Sequence, residues 1–411
     1  MTRLKNFVTN PVERPATASV LPFYALEHIE SGTGRLLSGV EISAVVDDTS
    51  VLHRRGDVRF GKLRPYLAKS LLMVDPGAGS GELLVLRPRR DAMDSKYLHY
   101  VTLSKPFVEW ATATSYGVKM PRTNWDSLAS FECDVPGLDE QRRIAAHLDA
   151  QVDKVDALVA EHVRQRRLLS DRFHGVLKER VTGRLGYEGP AHEVGLYWVG
   201  PVPATWRPEK IAWRFATGSG TTPPSGRAEF YEGGEVPWVN TAELRERVVD
   251  STAKTVTAKA LREFPTLRVY PAGSVVIALY GATIGRVGIL GLDATVNQAC
   301  CVLHCPTTVL PDFVFYWLWA HRGEIAALGA GGGQPNISQE TIRAIRVPAP
   351  EVASQLDIVA VLRAERETFE ALASELDRDV DLLNEHRQAL ITAAVTGGLE
   401  ALQGVASCRS T

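Results

Sequence analysis

Residues 141–183 (QRRIAAHLDAQVDKVDALVAEHVRQRRLLSDRFHGVLKERVTG) return without a gap at 355–397. The offset is 214, and 14 of the 43 positions are identical. Both copies end in Val-Thr-Gly. The offset is too long for a solenoid, whose units span roughly 20–50 residues. It points to two copies of a larger module, each a globular part followed by a helix. The second copy steps Ile358, Leu362, Phe369, Leu372, Leu376, Leu383 and Leu390 by three, four and seven. The first copy keeps the register with Ile144, Leu148, Val155, Leu158, His162, Leu169 and Val176. That is the seam of a helix lying along another helix. No proline breaks either copy, and only Gly175 interrupts before the closing glycines. A helix of about 36 residues is ~54 Å long. Such a rod needs a partner, and the other copy is the obvious one. Residues 141–185 carry ten Lys/Arg against six Asp/Glu, while 355–397 carry four against nine. Opposite charge favours pairing with each other over self-pairing. The alternative is two independent amphipathic helices, each packed on its own domain.

At 411 residues the chain is long enough for two or three domains with their own cores. No run approaches the ~18 apolar residues of a membrane span, and MTRLKNFVTNPVERP lacks an apolar signal core. Five cysteines, an odd number, fit a reducing compartment. A cytoplasmic protein is expected. The net charge of −2 gives no global attraction for nucleic acid, so any DNA-binding surface must be a local patch.

In order, the chain reads as a disordered lead (1–20), a first globular domain (21–138) and a first helix (139–185) with Asp139 as N-cap. A second domain (186–350) opens on a Gly- and Pro-rich linker (186–206). A second helix (351–400) and a tail (401–411) follow. The fold class is α+β, with two globular domains alternating with two long helices that pair as an antiparallel coiled coil. Val58–Phe60 and Leu83–Leu86 read as strands, Tyr97–Ala113 and Pro311–Leu328 as helices. Between the first two strands, Arg54–Lys69 holds six basic residues in sixteen positions, interleaved with Phe60 and Tyr66. It is either a phosphate- and base-contacting loop or a solvated hairpin face. A second polar loop, Thr114–Arg122, precedes Asn124-Trp125. In the second domain 331–338 (GGGQPNIS) stands in its place. Asn124 and Asn336 each precede the valine of a Val-Pro by eleven residues, which makes them equivalent.

Cys300-Cys301-Val-Leu-His304-Cys305 lacks zinc-knuckle spacing and a second pair, and reads as a buried strand. Gly331–Gly333 lacks the Gly-Lys-Ser/Thr ending of a phosphate loop. His162 sits in the helix seam. No nucleophile triad, nuclease carboxylate cluster, methyltransferase glycine loop or Asn-Pro-Pro-Tyr/Phe box is found. The chain therefore reads as a recognition or scaffold subunit, with no catalytic residue and no metal site.

Several segments together resemble one family, the specificity (S) subunits of type I restriction-modification systems. They are Val135-Pro136, Glu140–Ala145, Leu148-Asp149 and Val181–Gly183 around the first helix, and Phe60–Tyr66 in the first domain. In the second domain they are Pro203–Trp206, Gly220–Pro223, Pro237-Trp238, Tyr280–Gly285, Asn297–Ala299 and Gln334–Ser338. The resemblance covers all but the first ~20 residues and the end after Glu400. It departs at Ser354-Gln355, where the family usually has Glu-Gln. It implies that each domain reads half of a split, asymmetric DNA site and that the helices are an antiparallel spacer. Two adenine-N6 methyltransferase (M) subunits dock on it, and restriction/translocase (R) subunits join them. S-adenosylmethionine, ATP and magnesium belong to those partners, so the chain itself needs no cofactor. The resemblance and the polar loops together nominate Lys62, Arg64, Tyr66, Ser115, Tyr116, Lys119 and Arg122 as DNA contacts of the first domain. Tyr280, Thr283, Gln334 and Asn336 are those of the second. Each domain is joined to the start of its own helix, so the two are expected at opposite ends of the pair. Their separation is then at most ~16 base pairs at ~3.4 Å each. A coiled-coil adaptor that holds two partners without touching DNA is the other class considered.

Overall fold

The computed structural model describes residues 1–329 and 336–407, with side chains through 397. The chain divides into two units, Met1–Arg164 with Leu376–Thr411, and Gln165–Glu375. The division falls within both long helices, so each unit holds one globular domain, the start of one helix and the end of the other.

The first half runs β1 (Thr2–Arg3), β2 (Val8–Thr9), β3 (Ser19–Tyr24), β4 (Ser43–Val46), β5 (Val51–His53), β6 (Val58–Gly61), β7 (Ser70–Leu72), β8 (Gly77–Gly79) and β9 (Leu83–Pro88). Helices α1 (Ser95–Leu103), α2 (Lys105–Ala113) and α3 (Trp125–Ala129), strand β10 (Glu132–Cys133) and the long α4 (Leu138–Val181) complete it. The second half runs β11 (Ala191–Glu193), β12 (Pro201–Pro203), β13 (Arg207–Lys210), α5 (Ile211–Arg214), β14 (Ala216–Ser219), β15 (Val236–Val239), β16 (Arg247–Val249), β17 (Thr255–Val256) and α6 (Ala258–Glu263). It continues through β18 (Val275–Ala278), β19 (Val287–Leu290), β20 (Thr295–Val296), β21 (Cys300–His304), α7 (Pro311–Ala320), α8 (Arg322–Ala327), α9 (Gln339–Ala344), β22 (Arg346–Ala349) and α10 (Val352–Ser407). Among the described residues no helix is long and apolar enough to cross a membrane.

The two halves share much of one strand order. In the first unit a sheet of order β2-β9-β6-β7 stands beside one of order β4-β3-β8-β5. In the second, β14-β21-β18-β19-β16 stands beside β17-β15-β20. The closing pairs β1·β10 and β13·β22 are both antiparallel. The central strands β6 (Val-Arg-Phe-Gly) and β18 (Val-Val-Ile-Ala) are buried along their whole length. The expected buried strand at Cys300–His304 is β21.

The disordered lead expected over residues 1–20 is a correction. Thr2 and Arg3 pair with Cys133 and Glu132, Leu4 N–H donates to Phe131 O at 2.8 Å, and Leu4 and Val8 lie in the core. Two apolar anchors in a polar stretch suffice, because the pairing partner comes from more than a hundred residues later. The helix bounds also move. Helix α4 opens at Leu138, so Asp139 sits in its first turn rather than at the cap, and α10 continues past 400 to Ser407.

A buried glutamine ties each long helix to its own domain. Gln141 is fully buried; its Nε2 donates to Ala92 O (3.0 Å) and Pro136 O (2.8 Å), and its Oε1 accepts from Asp94 N–H (2.8 Å). Gln355, 214 residues on, does the same with Thr308 O (2.9 Å), Pro350 O (2.9 Å) and Leu310 N–H (2.8 Å).

The long helices run antiparallel. In the first unit Ile144, Leu148, Val152 and Val155 share a core with Leu390, Ile391 and Ala394. In the second, Phe173, Leu177 and Val181 share one with Val359 and Leu362, and Phe173 stacks on Phe369 at 4.7 Å. Ile358 and Phe369 pack at the edge of that core, and Leu383 at the edge of the first. Leu169 and Leu376 are half-buried. Leu158 and Leu372, expected in the seam, are instead 50% and 44% exposed; Ala373 is buried and Val159 packs on the core. A straight helix drifts ~20° per heptad from a 3.5-residue repeat, so a strict step of seven leaves the contact face near mid-helix. The seam of the first unit also holds a buried ion pair, Arg387 to Asp156 at 3.4 Å, with Arg35 on the same carboxylate. Its acid comes from the basic helix and its base from the acidic one, the reverse of the bulk charge pattern.

Arg59 on β6 is fully buried. It donates to Val51 O (2.9 Å), Ser80 O (3.0 Å) and Leu83 O (3.3 Å), and lies 3.4 Å from His53 Nδ1. Burial, then the Arg59 charge, push the His53 pKa down to about 3, against a rise from a backbone bond to Asp75. Burial likewise pushes His321 of the second unit down to about 4.

Two outcomes are expected. Gln355→Ala orphans Leu310 N–H and two carbonyls, and each unsatisfied buried group costs ~1–3 kcal/mol. A loss of ~2–4 kcal/mol in urea unfolding is expected, read by the tryptophans of the second unit; a loss within ~0.5 kcal/mol of zero refutes the clamp as a stabilising element. For pH, His53 and His321 stay neutral when folded, while the unfolded chain takes up protons below about pH 6.5. Stability is then unaffected above that pH and falls below it by ~1.4 kcal/mol per pH unit per histidine, until the folded pKa is reached. His53→Gln should flatten the acid limb of urea stability between pH 6.5 and 4 by about one proton.

Candidate nucleic-acid interface

In the first domain the two nominated loops meet edge to edge. The segment after β6 and the segment before α3 form a bridge, Leu63 with Arg122. Thr123 N–H donates to Lys62 O at 2.9 Å and Arg64 N–H to Pro121 O at 2.8 Å. Tyr116 and Arg122 exchange both backbone bonds, at 2.9 and 2.8 Å, making a hairpin of 116–122. Asn124 then caps α3, its Oδ1 accepting from Ser127 N–H at 2.9 Å. Arg64 is held in the left-handed region at φ 52° and its side chain is exposed, as are those of Tyr66, Tyr116 and Lys119.

Charge is crowded at this junction. Arg122 pairs with Glu82, so its guanidinium is already engaged. Lys62 is half-buried. Burial depresses its pKa first, Glu82 opposes that, and the cations Arg122 and Arg59 add to it. Three cations around one carboxylate form a partly dehydrated positive centre, which a phosphate would relieve. Ser115 does not present its hydroxyl outward: Oγ donates to Thr112 O at 2.6 Å.

Of the six basic residues in 54–69, three serve the fold. Arg59 is core, Arg54 pairs with Glu13 at 3.0 Å, and Lys69 Nζ donates to Leu26 O at 2.7 Å. Local charge density overstated the patch, because short strands with few apolar residues use cationic side chains to satisfy buried carbonyls.

The second domain repeats the junction with other side chains. Tyr280, after β18, bridges Asn336, and Ile337 N–H donates to Leu279 O at 2.8 Å. Ser338 caps α9 as Asn124 caps α3, its Oγ accepting from Thr341 N–H at 3.0 Å. At the constant offset of 214, Asn124 therefore corresponds to Ser338, and Asn336 to Arg122. The Val-Pro spacing misled by two residues, since Pro136 matches Pro350 and not Pro348. Thr283 Oγ1 donates to Tyr280 O at 3.4 Å. Gln334 lies outside the described residues.

Other segments converge on Tyr280. Gln298 hydrogen-bonds its hydroxyl, whose pKa burial raises first, and Thr222 Oγ1 donates to Gln298 Oε1. Trp238 Nε1 donates to Thr221 O at 3.2 Å, and Asn297 N–H to Val239 O at 3.0 Å. Gly220 crosses Val296 so closely that a Cβ would lie 1.6 Å from its carbonyl oxygen, so only glycine fits. Thr222 and Gln298 were missed as site residues although both lie inside Gly220–Pro223 and Asn297–Ala299, the segments that carried the resemblance.

Residues 214–376 match the family described as the type I restriction modification DNA specificity domain. Over 168 residues the chain is 24% identical to the type I restriction enzyme EcoR124I/EcoR124II specificity subunit of Escherichia coli, covering 40% of this chain and 41% of that one. Over 193 residues it is 25% identical to the MjaIX specificity subunit of Methanocaldococcus jannaschii, covering 43% and 44%. The chain thus spans about two-fifths of the length of the curated relatives it matches. A solved structure reported under complex assembly and conformational transition of the type I R-M system shares its fold, with a TM-score of 0.74 over 97% of both chains at 20% identity. Residues 214–376 thus match that DNA specificity domain, and the chain along its length shares the fold of that solved structure.

Proposed function

We propose that this chain is the DNA-reading subunit of a type I restriction-modification complex. Each domain reads one half of a bipartite, asymmetric site. The paired helices α4 and α10 set the spacing and offer the docking surface for methyltransferase subunits. The chain performs no chemistry itself. Methyl transfer and cleavage, with S-adenosylmethionine, ATP and magnesium, belong to the methyltransferase and restriction/translocase partners in the cytoplasm. One observation carries this reading: both domains build the same loop junction, Leu63–Arg122 and Tyr280–Asn336, and furnish it with different side chains. One scaffold with two sets of side chains suits two unlike half-sites, as a two-fold protein suits a palindrome. Lys62, Arg64, Tyr66 and Lys119 are the proposed contacts of the first domain, with Tyr280, Asn336, Thr222 and Gln298 for the second.

Lys62→Ala, Arg64→Ala and Lys119→Ala should each weaken binding of all sequences alike and lower the slope of log K against log salt by ~1. A gel-shift titration across salt concentrations with the methyltransferase complex checks this; unchanged slopes in all three variants remove the patch. Inserting four residues between Leu158 and His162, and four between Leu372 and Leu376, adds ~6 Å of helix. At ~3.4 Å per base pair the spacer of the recognised site should lengthen by one or two. Methylome sequencing of cells expressing the folded, active variant reads this directly, and an unchanged spacer shows that the helices are not the ruler.

A further inference from the structure

The hairpin 116–122 has an apex that phosphate contact does not explain. Val118 is 102% exposed, Tyr116 59% and Met120 52%. Single exposed apolar residues are ordinary, but here three crowd into five positions. The hairpin is firmly built: Tyr116 and Arg122 close it with two backbone bonds, and Gly117 turns it at φ +90°. Its base is locked to Arg64, whose left-handed backbone is a strain that the bond to Pro121 O maintains. Cations flank the apex, with Lys119 on it and Arg64 and Lys62 beneath. An apolar tip ringed by positive charge suits a surface with an anionic rim and a floor that offers some apolar contact, as a DNA groove does.

Width selects the groove. Two strands about 4.8 Å apart, with their side chains, make a ribbon roughly 10 Å across. That enters the major groove, about 12 Å wide, and not the minor groove, about 6 Å wide. In the major groove the base edges carry hydrogen-bonding groups and one apolar group, the thymine 5-methyl. Val118 and Met120 have no side-chain N–H or O–H to read the polar edges with. We propose that the 116–122 hairpin enters the major groove and that Val118 and Met120 recognise thymine through its 5-methyl group, making them specificity-determining residues of the first domain. This rests on the reading of that domain as a DNA-recognition domain.

The test uses two forms of one duplex of about 40 base pairs carrying the sequence that the methyltransferase complex methylates. One form contains thymine; in the other every thymine is replaced by uracil, which lacks only the methyl. The full chain in its methyltransferase complex should bind the uracil form about fourfold more weakly for each methyl group buried. Val118→Thr with Met120→Gln, close in shape but polar, should shrink that thymine-to-uracil ratio about fourfold for each methyl group the two residues bury. Lys119→Ala should weaken both forms and keep the ratio. An equal ratio for wild type and the double variant overturns the proposal while leaving the DNA-recognition reading intact. So does an unchanged ratio together with loss of the methyltransferase subunit from the double variant on size exclusion, which assigns the tip to a protein partner. Absence of DNA binding by the wild-type complex defeats the recognition reading itself, and the proposal with it.

Discussion

The side-chain amide at the start of each long helix is the contact on which the architecture turns. Apolar packing is strong but carries little direction, and a helix of several tens of residues must leave its domain at a defined angle. Gln141 and Gln355 supply direction because an amide donates twice and accepts at the same time. Glutamate in its place would accept only, and leucine would leave an amide and two carbonyls unsatisfied. Every partner of the two glutamines is a main-chain atom: Ala92 O, Asp94 N–H and Pro136 O in one unit, Thr308 O, Leu310 N–H and Pro350 O in the other. The clamp thus makes no demand on the side chains around it. The domains can therefore diverge in sequence while each helix keeps its aim.

That division between main-chain scaffold and variable side chains also explains what the sequence revealed. The helices and their repeat were legible, because a helical face prints its period on every turn. So were β6, β9 and β21, short segments of β-forming residues close to glycine or proline. Residues 1–20 were not, since β1 and β2 are two residues each and owe their order to distant partners at 132–133 and 87–88. Leu158 and Leu372 were misplaced because the seam was counted in sevens along helices that turn at close to 3.6 residues. Asp156 and Arg387 were invisible as a buried pair, because nothing local distinguishes them from the many charged residues of the helix surfaces.

The same limit governed the candidate interface. Residue type and loop position drew attention to Lys62, Arg64 and Lys119. They could not distinguish Arg59, which stabilises a core, or Arg122, which already holds Glu82. In the second domain the alignment by Val-Pro slipped two residues, and hydrogen bonding rather than spacing restored it, through the caps Asn124 and Ser338. Thr222 and Gln298 escaped notice because neither is charged, aromatic or near Tyr280 in sequence. Only the pairing of β14 with β21 and of β18 with β21 brings their three loops together.

The two junctions, so alike in backbone, differ in electrical character. The first gathers Lys62 and Arg122 about one carboxylate, Glu82, with Arg64 and Lys119 exposed on the adjoining loops. The side chains converging in the second, Thr222, Gln298, Tyr280 and Asn336, are uncharged. Counterion release follows the number of phosphates neutralised, so in the proposed role salt acts mainly on the first domain. Uncharged amides and hydroxyls instead read donor and acceptor patterns on base edges, with little sensitivity to salt. Two domains of one fold would then divide the work: the first supplies much of the attraction to DNA, the second discriminates through directional hydrogen bonds. A chain with a net charge of −2 can bind a polyanion on such terms because its positive charge is concentrated where one domain uses it.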